Sequence, residues 1–249
     1  MAQWLATLNT EIAARRPVAL VTVVEGPLAG HHLVVGAGGI MLTKDHDLQD
    51  LIPQVDFSTD TRKTITIGDN RIYIETFLPP PDLVIIGAGH VAQPVAHLGK
   101  LLGFTVTVID DRPDFANAER FPTADRIICD AFVPAVRSLT VGPSTYVVLV
   151  TRGHRHDMAC LLELITTQAR YIGMIGSRIR VETVFRLLAD EHGIDPSHLT
   201  KVHAPIGLDL NARTPPEIAV AIAAELLKVR RGGTGESLSR LGRGRIHGR

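Results

Sequence analysis

The chain has 249 residues, of which 45% are hydrophobic, and its 26 Lys and Arg balance 26 Asp and Glu. That zero balance excludes a bulk attraction to nucleic acid or an anionic membrane, and the apolar content suits one large or two small folded domains. No apolar run approaches the roughly 18 residues of a spanning helix, and the Met-Ala-Gln-Trp-Leu start lacks signal-peptide features, so a cytoplasmic protein with no nucleic-acid or membrane partner is expected.

Residues 1–78 read as a small, mostly β domain. An amphipathic helix over Gln3 to Arg15 precedes short β-like runs at Val18 to Val24, Leu33 to Val35, Thr64 to Ile67 and Arg71 to Phe77. Gly68-Asp69-Asn70 reads as a hairpin loop, with alternation in the strand that follows. Pro79-Pro80-Pro81 is a stiff extended linker and the natural boundary.

From residue 82 to 229, strand and helix signals alternate, which predicts a Rossmann-like α/β domain with a doubly wound parallel sheet. Leu83 to Ile86 is a continuous apolar run, as in a strand covered on both faces. It ends in Gly87-Ala88-Gly89-His90-Val91-Ala92, where Gly87 permits a tight turn and Gly89 lets a phosphate approach the N-terminus of a helix starting near His90. Ala92 stands at the third glycine position of the dinucleotide fingerprint. Asp110 ends the next strand 23 positions after Gly87, where an acid would accept from a ribose 2′-hydroxyl and repel a 2′-phosphate. A glycine turn kept only for packing is the bland alternative.

Further strands are expected at Arg126 to Cys129, Tyr146 to Val150 and Tyr171 to Ile175, with helices near 91–102, 154–168, 178–192 and 215–230. Thr214-Pro215-Pro216-Glu217 supplies the last helix with an N-cap, two first-turn prolines and a capping-box glutamate. The basic, glycine-rich residues 230–249 are expected to be disordered. Two cysteines make no disulfide framework: Cys160 reads as a buried thiol, and Cys129 ends a strand toward the expected crevice.

Three later segments follow strands on the side where doubly wound sheets bind ligands. Thr151-Arg152-Gly153-His154-Arg155-His156-Asp157 opens a helix with two guanidinium groups among its polar side chains; anion binding by Arg152 competes with simple helix capping by Thr151 or Asp157. The spacing of His154, His156 and Asp157 matches no strong metal template, so the metal ligands remain unknown. Gly176-Ser177-Arg178 forms a second anion cradle unless Ser177 serves only as an N-cap. His203-Ala-Pro205-Ile-Gly207-Leu-Asp209 is an irregular loop of the kind that closes over ligands.

Together these segments resemble the XdhC/CoxI family, accessory proteins of xanthine dehydrogenase and related molybdenum hydroxylases. The resemblance is carried by Ile86 to Ala92, Ile109-Asp-Asp-Arg-Pro113 with Arg120-Phe-Pro122, Thr151-Arg-Gly-His154 with Asp157, Tyr171 to Arg178, and His203 to Asp209 with Ala212-Arg-Thr-Pro215 and Glu217. It implies a maturation factor that binds molybdenum cofactor, as molybdopterin or its dinucleotide, supports its sulfuration, and delivers it to an apo molybdenum hydroxylase. A cysteine desulfurase or other sulfurtransferase is then a further partner, and a homodimer is compatible. Such a carrier needs no catalytic acid or base. On this reading Gly87, Gly89, His90, Val91, Ala92, Asp110, Asp111, Arg152, His154, Gly176, Ser177, Arg178, Pro205 and Gly207 contact the cofactor.

The first domain departs from the family pattern: Glu25-Gly26-Pro27 and Gly36-Ala-Gly-Gly39 are remnants of its loops, and residues 1–128 contain no cysteine. Arg62, Lys63 or the 36–39 turn could contact cofactor, or the domain could serve stability or docking alone. The rival reading is an NAD-dependent oxidoreductase using the same turn and Asp110, with His90 or His154 as proton donor. A non-catalytic scaffold for hydroxylase maturation is the third.

Overall fold

The computed structural model describes residues 3–43, 55–57 and 60–240, except for the side chain of His154. The chain divides into two compact units, Met1–Pro80 and Pro81–Arg249.

In the first unit, helix α1 (Gln3–Ala13) precedes four strands, β1 (Val18–Glu25), β2 (His32–Gly36), β3 (Arg62–Ile67) and β4 (Asn70–Phe77). They form one antiparallel sheet in the order β2-β1-β4-β3. The β3–β4 connection is a two-residue hairpin in which Ile67 pairs with Asn70 and Gly68 takes φ +56°. Alternation decides what each face buries. Ala19, Val21 and Val23 pack with Leu33, Val35, Ile72 and Ile74, while Val18 and Val34 meet Leu8 of α1 on the opposite side. The sheet therefore has two small cores, and α1 is held by its apolar stripe.

The second unit holds β5 (Asp82–Ile86), α2 (Ala92–Leu101), β6 (Thr105–Asp110), β7 (Arg126–Cys129), α3 (Phe132–Arg137), β8 (Thr145–Leu149), α4 (His154–Leu164), β9 (Tyr171–Met174), α5 (Arg178–His192), α6 (Pro196–Leu199), β10 (Val202–His203) and α7 (Pro215–Arg231). All six strands are parallel, in the order β10-β9-β8-β5-β6-β7. Chain order thus reverses direction between β5 and β8, which makes the carboxyl ends of those two strands the switch point of a doubly wound sheet. The apolar run of β5 is explained by the two layers around it. Leu83 and Ile85 face α2 and α7, and Val84 and Ile86 lie in the cluster built by α3, α4 and α5. All four are at most 4% exposed, each contributing roughly 1.5–3 kcal/mol relative to exposure.

Several elements differ from expectation. Helix α2 begins at Ala92, two residues after His90, and α4 ends at Leu164. α3, α6 and β10 are too short to give a periodic signal, and His203, expected in a loop, pairs with Gly173 as the last strand residue. The last helix continues to Arg231 and residues 232–240 are described, against the expected disorder from 230; residues 241–249 of that tail lie outside the described residues. The reason is that Arg230 donates to the Leu102 carbonyl at 2.8 Å and its guanidinium lies over the Phe104 ring, so the basic side chain extends the packed helix. Gly232, at φ +68°, then ends it. The Thr214–Glu217 capping box is present as expected.

Gly87 is closed in by the backbone that follows β8. Its φ is +104°, and a Cβ there would stand 2.6 Å from the Val150 carbonyl oxygen and 2.8 Å from its carbon. Because both the dihedral and the β8 backbone reject a side chain, Gly87→Ala should lower stability by about 2 kcal/mol or more, read as a urea midpoint shift at constant slope. Gly89→Ala, with no atom within 4 Å of its Cβ position, should shift it far less.

Candidate functional site

The turn after β5 runs from Gly87 to Val91 and delivers the chain into α2, whose N-terminus has no side-chain cap. Gly87 and Ala88 are buried, Gly89 is half-buried, and His90 is exposed. A Cβ at Gly89 would meet nothing, so the turn presents open space and unsatisfied backbone N–H groups to the crevice.

Beside it, β6 ends in Asp110 and Asp111. The Asp110 carboxylate is 0% exposed and accepts four hydrogen bonds. Its Oδ2 accepts from the Ala88 N–H at 2.8 Å and from Arg112 Nη2 at 3.0 Å; its Oδ1 accepts from the Arg112 N–H at 3.1 Å and from Nε at 2.8 Å. Burial pushes the carboxyl up, but the bonds from Arg112 and Ala88 outweigh it and hold the group below the usual carboxylate range. The position expected to accept a ribose is thus filled by the chain itself. Arg112 in turn lies over the Phe115 ring, 3.6 Å from its centroid, and Arg120 lies 4.8 Å from the same centroid. Arg120 Nη2 reaches the Ala88 carbonyl at 3.4 Å, and Gln93 of α2 donates to the Arg120 carbonyl at 3.2 Å. Asp111 is paired with Arg152, at 2.7 Å, from the turn after β8. Since β5 lies between β6 and β8, that ion pair spans the carboxyl edge at the glycine turn.

The turns after β8 and β9 are joined by a buried carboxylate. Asp157, 0% exposed, accepts from the Thr151 hydroxyl at 2.5 Å and from Arg180 Nη2 in the first turn of α5. Burial pushes the Asp157 carboxyl up, and Thr151 and Arg180 counter it only in part. Ser177 is the N-cap of α5, its hydroxyl accepting from the Arg180 N–H at 3.3 Å; Gly176 is half-buried and Arg178 is exposed. His154 opens α4.

The 203–209 loop is fastened to both β9 and α7. Ile206 N–H donates to the Met174 carbonyl at 3.0 Å, and Leu208 N–H to Ala221 at 3.1 Å. Gly207, at φ +97°, donates to Glu225 Oε2 at 2.8 Å, which also accepts from the Tyr171 hydroxyl at 2.6 Å; His203 Nδ1 lies 3.2 Å from Oε1. Burial works against the Glu225 charge, but the bonds from His203, Tyr171 and Gly207 hold its pKa low. Pro205 follows Ala204 through a cis peptide. Gly207 therefore packs against α7 and anchors the loop.

The structure brings the Gly87–Ala92 turn, Asp110, Asp111 and Arg152 into direct connection, and it places Gly176, Ser177 and Arg178 after the neighbouring strand. What sequence reasoning missed are the partners: Arg112, Phe115 and Arg120 against the acids and the turn, Arg180 against Asp157, and Glu225 under the loop. The Asp-Asp-Arg spacing of 110–112 was the one available signal for the first of these. Among the described residues no three His, Cys, Asp or Glu side chains are placed to hold a metal ion. Cys160 is buried, its thiol pushed up to about 12 by burial first and Asp157 second, and Cys129 is exposed. In the first unit Arg62 pairs with Glu75 at 2.8 Å. No helix among the described residues is long and apolar enough to cross a membrane.

The sheet order and the turn at its switch point define the second unit as a Rossmann domain. Residues 83–226 match the XdhC Rossmann domain, more than half of the chain, and the chain belongs to that family. It is similar to the uncharacterized protein YqeB of Escherichia coli K12, 34% identical over 169 residues that cover 68% of this chain and 31% of YqeB. It is also similar to a probable xanthine dehydrogenase subunit of Bacillus subtilis 168, 33% identical over 161 residues, 65% of this chain and 46% of that protein. The matched region therefore spans less than half of either curated relative. A crystal structure of a xanthine dehydrogenase from Bacillus halodurans has the same fold, with a TM-score of 0.74 at 23% identity over 92% of this chain and 67% of that one.

The pKa direction of Asp110 fixes a pH dependence. A folded pKa below the unfolded value of about 3.9 means the stabilisation is fully present above that value and is lost as pH falls through the folded pKa. Asp110→Asn should lower stability at neutral pH and flatten part of the acid limb below about pH 4. Urea unfolding of both proteins across that range checks it, and parallel acid limbs would contradict the assignment.

Proposed function

We propose that this protein is an accessory factor of a xanthine dehydrogenase-type molybdenum hydroxylase, binding molybdenum cofactor in the carboxyl-edge crevice and supporting its sulfuration and insertion. The observation that carries the reading is the XdhC domain itself: the family match covers every segment that builds the crevice edge. The name of the Bacillus subtilis relative supports the link to xanthine dehydrogenase.

The crevice residues fit the anionic part of such a cofactor. Gly89 leaves open space beside an α2 N-terminus that has no side-chain cap. Arg120 and Arg180 each hold a buried Nε without a hydrogen-bond partner, near the glycine turn and the α5 N-terminus respectively. Buried guanidinium N–H groups left without acceptors favour a phosphate-bearing guest. In this reading the 87–92 turn, Arg152 and Gly176–Arg178 hold the phosphate end, and the 203–209 loop with Pro205 and Gly207 lines the far side. When bound, the cofactor supplies the oxidation-sensitive molybdenum centre that the hydroxylase uses; the chain's residues orient and shield it and do no acid–base chemistry. The apo-hydroxylase and a sulfurtransferase are the protein partners, and the cytoplasm is the setting.

The test is anaerobic incubation with molybdenum cofactor followed by gel filtration, reading molybdenum and pterin in the protein peak. Retention near one per chain is expected. Arg178→Ala, losing a charge-assisted contact, should weaken retention roughly tenfold, and Gly89→Val, putting a branched side chain into the open space where the phosphate would approach, at least as much, both with unchanged circular dichroism. Undiminished retention in either variant removes that residue from the site, and a wild-type peak free of pterin defeats the reading.

A further inference from the structure

We infer that Arg112 is a specificity residue that keeps NAD out of this crevice, by occupying in advance the carboxylate on which the ribose of NAD would be read. The inference rests on the proposal that a phosphate-bearing ligand meets the Gly87–Ala92 turn, and it concerns which nucleotides that turn accepts.

Rossmann domains that bind NAD leave the acid at the end of the second strand free to accept two ribose hydroxyls. Asp110 has the right strand, the right end and the right neighbour, since its Oδ2 touches the glycine turn at Ala88 N–H. A carboxylate offers about four lone-pair sites. Here all four are taken: two by Ala88 N–H and Arg112 N–H, and two by Nε and Nη2 of the same guanidinium in a fork-on-carboxylate geometry. A ribose diol would have to displace a charge-assisted bidentate pair with two neutral hydroxyls, a losing exchange.

Displacement is opposed again by what holds Arg112. Its guanidinium carbon is 3.6 Å from the Phe115 ring centroid, and Arg120 shares that ring at 4.8 Å. Asp111, the next acid, sits within 4.0 Å of Arg112 Nε and is itself paired with Arg152. The ribose side of the turn is therefore closed by pairs of the chain's own charges. The phosphate-binding features of the turn, the open face of Gly89 and the uncapped α2, are untouched by this arrangement. The turn is left with the means to bind a diphosphate and without the means to read an unmodified ribose.

Calorimetry of the full chain with NAD, NADP and inorganic pyrophosphate, on wild type, Arg112→Ala and Arg112→Gln, tests this. Both variants are checked by thermal unfolding; glutamine keeps an amide over Phe115 where alanine leaves a gap. The expected result is a gain in NAD affinity of roughly tenfold to a hundredfold in the variants, the range of a hydrogen bond to a charged group. NADP should show no gain, because the freed Asp110 repels a 2′-phosphate, and pyrophosphate should bind all three proteins alike. Wild type binding NAD as tightly as the variants, or folded variants that gain nothing for NAD, would overturn the role of Arg112. Pyrophosphate separates the two ideas: binding without an NAD gain sinks Arg112 alone, and no binding to any protein sinks the turn as a phosphate site as well.

Discussion

The carboxyl edge of the Rossmann domain is organised around one fully buried carboxylate, that of Asp110. It is anchored at the end of β6, reaches across to the backbone of the turn after β5, and receives the guanidinium that begins the 112–121 segment. Remove the charge and three pieces of the edge lose their common partner. Burial of an ion is costly, and the pair offsets that cost only when geometry is good and every remaining lone pair is satisfied. Asp110 meets both conditions, which is why its pKa falls despite 0% exposure. Asp157, more deeply buried and with two side-chain partners, does not reach that balance, and its pKa rises. The two carboxylates mark a tightly satisfied side of the crevice at β6 and a less satisfied one at β8 and β9.

That asymmetry bears on chemistry. On the β6 side each acid has an arginine, Asp110 with Arg112 and Asp111 with Arg152, so the net charge offered to a ligand is small. The Asp111–Arg152 pair is partly exposed and weak by the standard of surface ion pairs, so an incoming phosphate competes for Arg152 on nearly equal terms. On the β9 side Arg178 is exposed and Arg180 keeps an unsatisfied buried Nε. Arg120, which follows β6 and reaches the glycine turn, keeps an unsatisfied buried Nε of its own, so unmet guanidinium donors stand on both sides.

Much of the domain was legible in the sequence because its signals are local. The apolar run of Leu83 to Ile86 with glycines after it, the Asp at the end of the next strand, and the Thr214–Glu217 box each carry their structural consequence within a few residues, and each element formed where its signal stood. What was not legible depends mostly on contacts between distant residues. Asp110 is the local exception: its partner Arg112 stands two positions on, but the Asp-Asp-Arg run reads the same whether the acid meets a ligand or that arginine. The pairing of Asp157 with Arg180 and of Glu225 with Tyr171 and Gly207 crosses 23, 54 and 18 positions of chain. Short elements such as β10 and α6 fail for a different reason: two to four residues contain no full period, and their formation rests on the neighbours they pack against.

The loop at 203–209 shows how such long-range ties fix an irregular segment. A ligand-closing loop loses conformational entropy when it closes, and that loss weakens binding. Here Ile206, Gly207 and Leu208 each donate a backbone N–H to a fixed acceptor in β9 or α7, and Glu225 holds Gly207 and Tyr171 through the same oxygen. A Cβ at Gly207 would come within 3.3 Å of the α7 backbone, so the loop lies against the helix as closely as a glycine allows. The loop is therefore fixed by the fold itself, its ordering completed during folding.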